Sequence, residues 1–112
     1  MGKRELLGTF EQLCLMAVLR LQETREGAYG YSIVEQIEKR AGKVVSISQA
    51  HMTLQRLADA GLLESTLGST LPGRSGRPRR LFRLTGAGER SLDVTWRALN
   101  DMYPVGFRPS EA

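Results

Sequence analysis

The sequence predicts a mainly α-helical fold with one small β-hairpin (an α+β class), in the order helix, helix, helix, hairpin, helix. Two observations predict it. Apolar residues recur at helical spacing in four separate segments, and two short strand-like stretches enclose a segment rich in glycine, proline and arginine. The chain has 112 residues, enough for one domain with a single modest core. Hydrophobic residues make up 41% and charged residues 25%, and this balance argues against a disordered chain.

The first predicted helix is apolar on two sides. Thr9 has capping-box spacing to Gln12 and can start it. Its inner face is predicted to be Phe10, Leu13, Cys14, Ala17, Val18 and Leu21. The other side is also apolar, through Leu15, Met16 and Leu19. Because a helix that is apolar on two sides needs a second cover, we expect these three residues to contact another helix or another subunit.

Two further helices follow, joined by a tight connection. The second is predicted over about residues 30 to 41, and Gly42 is its natural stop. The third begins at Ser46 or Ser48 and ends before Gly61, which fits the position after a helix end. Their inner faces are predicted to be Ile33, Val34, Ile37 and Ala41 in the second helix and Ile47, Ala50, Leu54, Leu57 and Ala58 in the third.

The C-terminal third of the chain predicts a hairpin and a last helix. The strand candidates are residues 62 to 67 and 80 to 84, and in the second strand Phe82 and Leu84 share one face. Thr85 can cap the last helix. That helix carries an apolar stripe formed by Leu92, Trp96, Leu99 and Tyr103.

This order of elements matches a winged helix-turn-helix with an additional C-terminal dimerisation helix. We predict the winged helix-turn-helix over residues 1–85, the dimerisation helix over residues 86–104 and a tail over residues 105–112. The predicted dimer interface consists of Leu15, Met16, Leu19, Leu92, Trp96, Leu99 and Tyr103. An intramolecular core is the alternative for the last stripe, and stacking of a ligand on Trp96 is a weaker one.

The positive charge is concentrated in one segment. Lysine and arginine total 16 and aspartate and glutamate total 12, which gives a net charge of +4. Five arginines and no acidic residue lie between Arg74 and Arg83, so the remainder has 11 basic against 12 acidic residues and a net charge of −1. We expect this segment to contact a polyanion. Its arginines would meet phosphates or enter the minor groove of DNA, and a solvated loop is the alternative.

The outward face of the third helix is the candidate for reading DNA bases. At about 100° per residue, Gln49, Met52 and Arg56 fall opposite the inward Leu54. Glutamine can bridge the N6 and N7 edge of adenine, and arginine the O6 and N7 edge of guanine; a merely solvated face is the alternative. His51 is predicted at the edge of the buried face, where a structural role is favoured over a phosphate contact. The predicted DNA contacts are Ser48, Gln49, His51, Met52, Thr53, Gln55 and Arg56 in the third helix and Arg74, Arg77, Arg79 and Arg80 in the hairpin.

Catalysis, metal binding and membrane insertion find no support in the sequence. The single cysteine, Cys14, and the single histidine, His51, are far apart and cannot make a zinc site. Cys14 is interpreted as a small buried hydrophobic residue. Because one histidine, one cysteine and scattered carboxylates form no catalytic constellation, we expect no enzyme and no cofactor. The longest apolar run, residues 13–19, is too short to span a bilayer. The basic pair Lys3-Arg4 is not followed by the apolar stretch and cleavage site of a signal peptide, so a cytoplasmic protein is expected.

Four segments also resemble, in matching order, the PadR family of transcription regulators, and together they extend over about residues 6 to 92. They are residues 7–13 (LGTFEQL) with 17–21 (AVLRL), 28–31 (AYGY) with Ile33, 53–57 (TLQRL) with 61–62 (GL), and 76–85 (GRPRRLFRLT) with Gly88. The chain departs from the family pattern in three places. His51 stands where the family commonly has tyrosine, the loop before Ala28 is a few residues longer, and one C-terminal helix replaces the longer arm of other members.

The resemblance implies a dimeric regulator, usually a repressor, that a small molecule or another signal releases from its operator. A two-fold protein further predicts a palindromic double-stranded operator with half-sites about 10 bp, or a multiple, apart. The alternative is a winged-helix protein-interaction module without specific DNA readout. Dispensable hairpin arginines and binding that hardly changes with salt would favour that alternative.

Overall fold

The computed structural model describes residues 6–68 and 78–108. The described elements, in chain order, are α1 (Thr9–Leu21), α2 (Gly30–Ala41), α3 (Ile47–Asp59), β1 (Leu63–Leu67), β2 (Arg80–Leu84) and α4 (Gly86–Met102). Four helices and a two-stranded antiparallel hairpin in this order confirm the predicted fold class. None of the described helices has both the length and the apolar character that crossing a membrane requires.

Local capping interactions fix most helix ends where the sequence predicts them. Ser46 caps α3, because its side-chain oxygen accepts a hydrogen bond from the Gln49 amide at 3.1 Å. Thr85 caps α4 in the same way, accepting from the Gly88 amide at 3.0 Å. At the other end of α2, Gly42 adopts the left-handed conformation, with φ 70°.

The start of α1 differs from the prediction by one residue. Gly8, not Thr9, is the N-cap residue. The Gly8 amide donates to the side-chain oxygen of Glu11 at 2.9 Å, so an acidic residue three positions along supplies the reciprocal half of a capping box. Thr9 is already helical, and its hydroxyl therefore does not cap the helix.

The core is arranged around α1, which contacts α2, α3, α4 and β2. The buried hydrophobic side chains are Cys14, Leu15, Ala17, Val18, Leu21, Ala28, Ile33, Ile37, Val45, Ala50, Leu54, Leu57, Leu63, Phe82 and Leu84. Leu15 is among them at 0% exposure, so the prediction that it lies on a dimer surface is wrong. With neighbours on several sides, α1 buries a residue that the helical pattern assigned to its outer face.

Cys14 lies in this core, and its burial confirms the interpretation as a small hydrophobic residue. Burial raises the pKa of its thiol from 9.0 to about 12, with a smaller opposing influence from Arg56. Because the thiolate is the reactive form, we expect a disulfide reagent at pH 8 to label the folded protein far more slowly than the urea-unfolded protein. Equally fast labelling of both states would contradict this burial.

The raised pKa of Cys14 also determines the direction in which the stability of the fold changes with pH. The unfolded chain loses the thiol proton near pH 9, whereas the folded chain keeps it until about pH 12. The unfolded state therefore binds fewer protons between these values, and the contribution of Cys14 to stability is complete below pH 9 and is lost as the pH rises toward 12.

The hairpin is fastened to the loop between α1 and α2. β1 and β2 pair antiparallel, with Leu63 opposite Leu84. Phe82 and Leu84 are both buried, which confirms the predicted alternation of β2. On its other edge, β2 has a second backbone partner, because the Phe82 amide donates to the carbonyl of Ala28 at 2.8 Å. The root of the hairpin is thereby held on the residues that precede α2.

The first half of α4 packs against the body of the domain. Gly88 lies so close to the hairpin that a Cβ atom there would stand 2.1 Å from the carbonyl oxygen of Leu62. Two turns further on, the buried Thr95 hydroxyl accepts a hydrogen bond from the Leu7 amide at 3.1 Å. These contacts fix the direction in which α4 leaves the body.

Candidate nucleic-acid interface

The outer face of α3 is exposed, as the sequence predicts for a recognition helix. The exposed members of the predicted set are Ser48, Gln49, His51, Met52, Gln55 and Arg56. Thr53 is 4% exposed, so the prediction that it contacts DNA is wrong. Thr53 lies one helical turn from both Ala50 and Leu57, and these two residues are buried in the core.

Interactions within the protein divide this face into two parts. Toward the C-terminal end of α3, the Arg56 guanidinium lies 3.5 Å from the Glu11 carboxylate. The Gln55 amide donates to the Asp59 carboxylate at 3.0 Å. Exposed contacts of this kind are weak, typically below about 1 kcal/mol, and a DNA partner can replace them. At the N-terminal end, Gln49 is exposed, and its side chain makes no hydrogen bond within the described residues.

The hairpin places arginine beside this helix. Arg80 is exposed, and its guanidinium donates to the Ser65 hydroxyl of the facing strand at 3.0 Å. Arg79 is partly buried, and its guanidinium carbon stands 4.2 Å from the centre of the Tyr29 ring. The other two hairpin arginines of the prediction, Arg74 and Arg77, lie outside the described residues.

Arg83, the fifth arginine of the basic segment, has a different partner. Its guanidinium donates to the Gln22 carbonyl at 3.1 Å and pairs with the Glu23 carboxylate. It therefore ties β2 to the residues that follow α1.

A cleft of about 600 Å³ joins the helix and the hairpin. Its lining residues are His51, Met52, Gln55, Arg56, Asp59, Arg80 and Phe82. Hence the outer face of α3 and the root of the hairpin border one concave surface, which we call the α3–hairpin cleft. The fold brings together the two elements that the sequence separately predicted to contact DNA.

The start of α2 packs against both α3 and the residue before β2, and sequence reasoning assigned it no contact. A Cβ atom on Gly30 would stand 3.1 Å from the Nε2 atom of His51, so the first turn of α2 lies directly against α3. Tyr29, the residue before it, meets Arg79 of the hairpin. The sequence shows an aromatic residue ahead of a helix, but only the tertiary structure shows which arginine it faces.

The residues predicted to form a dimer interface lie on α1 and α4. The predicted dimer residues that are exposed are Met16, Leu19, Trp96, Leu99 and Tyr103. Leu92 is partly buried and packs against the core. Within residues 6–68 and 78–108, no group of three His, Cys, Asp or Glu side chains could hold a metal ion.

Comparison with known proteins agrees with this architecture. The PadR-like transcription factor from Bacteroides fragilis is 27% identical with a TM-score of 0.63, over 84% of this chain and 85% of that one. A PadR family regulator from Eggerthella lenta is 28% identical with a TM-score of 0.56, over 80% and 79%. PadR from Bacillus subtilis, solved with operator DNA, shares the fold at 18% identity and a TM-score of 0.63, over 93% of this chain and 55% of that one.

The same relationship appears in the sequence. No protein of curated function matches the chain at a significant level. The profile of the transcriptional regulator PadR-like family matches residues 18–94, which is more than half of the chain. The match includes the last four residues of α1, all of α2, α3, β1 and β2, and about the first half of α4. The chain belongs to the PadR-like family of transcriptional regulators.

Proposed function

We propose that this protein is a homodimeric, sequence-specific DNA-binding repressor whose operator is palindromic. The observation that carries the proposal is the α3–hairpin cleft. An exposed helix face with Gln49 and Arg56 borders the same surface as Arg80. In this arrangement α3 enters the major groove while the hairpin acts as the wing and contacts the adjacent backbone. The PadR of Bacillus subtilis, which has been solved with operator DNA, supports this mode of binding.

Dimer formation is proposed from the exposure of α4. Its apolar stripe continues beyond the point where the helix packs on the body, and there Trp96 is 63% exposed, Leu99 47% and Met102 80%. Past the helix end, Phe107 stacks on Tyr103 with ring centroids 5.0 Å apart and extends the apolar surface. A contiguous apolar surface of this kind marks an interaction site. We infer that a second copy covers it, together with Met16 and Leu19 of α1.

Release by an effector would act through the same dimer. A two-fold arrangement fixes the spacing of the two α3 helices, so a small molecule that binds unequally to two placements of the heads would shift DNA affinity. The proposal therefore places signal reception at the surface between the subunits and DNA contact at the cleft. It requires no catalysis.

Selection of bound sequences from random duplex DNA at physiological salt tests the function. A palindromic motif is the expected result, with half-sites about one helical turn or a multiple apart. Absence of enrichment, together with binding that hardly changes with salt, would contradict DNA readout and favour a protein-interaction module.

Replacement of Arg56 by alanine tests base reading by α3. Because a bidentate contact to guanine contributes about 1–3 kcal/mol of discrimination, Arg56→Ala should reduce the ratio of operator to random DNA affinity roughly tenfold. Binding curves on both DNAs measure that ratio. Arg97→Ala is the matched control, since it removes an equal charge from α4, where Arg97 pairs with Asp93. An equal loss on both DNAs would instead make Arg56 a backbone contact.

A further inference from the structure

Tyr29 lies where three elements of the candidate interface meet. It is the N-cap residue of α2, and its neighbour Gly30 packs against His51 of α3. Its ring faces Arg79, which directly precedes β2. The basic hairpin and the recognition helix are therefore linked through this one aromatic side chain and the residue beside it.

The backbone around Tyr29 is held on both sides. The Tyr29 amide donates to the hydroxyl of the buried Ser32 at 3.0 Å, and that hydroxyl donates to the Gly27 carbonyl at 2.8 Å. The preceding residue, Ala28, accepts a hydrogen bond from the Phe82 amide of β2. These bonds fix both the loop and the first turn of α2. The backbone that carries the Tyr29 ring is therefore held in place.

The contact between Tyr29 and Arg79 is specific in its geometry. The guanidinium carbon stands 4.2 Å from the ring centroid, which is well within the range of a cation–π interaction. The Tyr29 hydroxyl donates to the Glu26 carboxylate at 3.4 Å, and the negative charge beyond the ring adds to its attraction for a cation. The Nε atom of Arg79 is buried and has no hydrogen-bond partner among the described residues.

Arg79 is thus held by stacking, and not by an acidic side chain that would neutralise it. Within the described residues the ion pairs are Arg56–Glu11, Arg83–Glu23 and Arg97–Asp93. A stacked guanidinium keeps its full charge and has already lost much of its rotamer freedom. It therefore loses less entropy when a phosphate binds.

Given the DNA binding proposed above, we propose that Tyr29 is a positioning residue that presents Arg79 to the phosphate backbone. The ring holds the guanidinium at the root of the wing, where the hairpin meets the residues before α2. Since Nε is covered, the two terminal nitrogens of the guanidinium make the contact. The contact is made to phosphate, so it contributes equally to operator and random DNA.

A double-mutant cycle in the full-length protein tests this role. Tyr29→Leu removes the ring, and we expect it to weaken binding to operator and random DNA alike by about fivefold. It should also reduce the slope of log affinity against log salt concentration by about one, the change expected when one phosphate contact is lost. Tyr29→Phe keeps the ring and should change affinity less than about twofold. In an Arg79→Gln background, Tyr29→Leu should have almost no further effect. Additive losses, or a gain in affinity on Tyr29→Leu, would overturn the proposal.

A measurement without DNA separates this inference from the proposed function. In nitrogen–proton NMR of the arginine side chains, the Nε–H signal of Arg79 is identified by its loss in Arg79→Gln. It should be shifted upfield by the ring and exchange slowly with water; Tyr29→Leu should abolish both properties and Tyr29→Phe should keep them. An Arg79 signal like that of exposed arginines would overturn the positioning role even if DNA binds. If no duplex DNA binds the wild type, both proposals fail, and the NMR result still reports whether the contact exists.

Discussion

Replacement of Gly88 by alanine is expected to lower the free energy of unfolding by about 3 kcal/mol or more. The added Cβ would lie 2.1 Å from the Leu62 carbonyl oxygen and 3.4 Å from the Leu84 side chain. The first of these atoms belongs to the backbone, so no change of rotamer relieves the overlap. The start of α4 would have to move away from the hairpin, and the contacts that direct the helix would weaken.

Urea denaturation at a fixed protein concentration measures this effect, because the proposed dimer would make the apparent stability depend on concentration. Gly86→Ala is the matched control on the same helical turn. There the nearest atom to the new Cβ is the end of the flexible Arg90 side chain, at 3.4 Å. We expect a change within about 1 kcal/mol for the control. Equal stability of Gly88→Ala and the wild type would contradict the close packing of α4 on the hairpin.

Replacement of Leu99 by aspartate is expected to weaken the proposed dimer about a hundredfold or more. Leu99 is 47% exposed in the isolated chain, so the change should leave the monomer folded. Against a second copy, however, the carboxylate would lose its water without gaining a partner, which costs several kcal/mol. Sedimentation across a range of concentrations measures the shift toward monomer. Trp96→Ala should act in the same direction through lost apolar contact.

Val94→Asp is the control for this experiment. Val94 is a partly exposed apolar residue of the same helix, five positions from Leu99 and on a different side. It introduces the same charge, and we expect it to leave the sedimentation unchanged. If Leu99→Asp sediments like the wild type, the apolar surface of α4 does not form the dimer. A true dimer mutant should also lose affinity for the palindromic site while it retains affinity for an isolated half-site.

DNA binding through the proposed cleft and dimer formation through α4 should respond differently to salt, so the two can be measured separately. The proposed contacts of the wing with DNA would be electrostatic and would weaken as salt rises, whereas an apolar dimer interface responds little to salt. A salt series on wild type and on Leu99→Asp therefore distinguishes weaker DNA contact from weaker pairing. The net charge of +4 supports DNA contact only through its location, since the hairpin segment carries five positive charges and the remainder of the chain has a net charge of −1.

The sequence by itself determined the order and type of the elements and most of their ends. Ser46, Thr85 and Gly42 could be predicted because capping joins atoms within about three residues of one another or depends on one residue's own backbone preference. The alternation of Phe82 and Leu84 on β2 is local in the same sense. The shifted start of α1, with Gly8 in place of Thr9 as the cap, arose because two adjacent residues can both begin a helix and Glu11 favoured the earlier one.

Only the tertiary structure decided which helix faces are buried by other segments and which side chains far apart in the sequence are in contact. A helical pattern states that Leu15 and Thr53 share a face with certain neighbours, but not that both lie in the core. The pairing of Tyr29 with Arg79 joins residues 50 positions apart, and no spacing in the chain predicts it. The physical reason is that burial depends on surfaces contributed by other segments, whereas periodicity and capping are set by the local backbone.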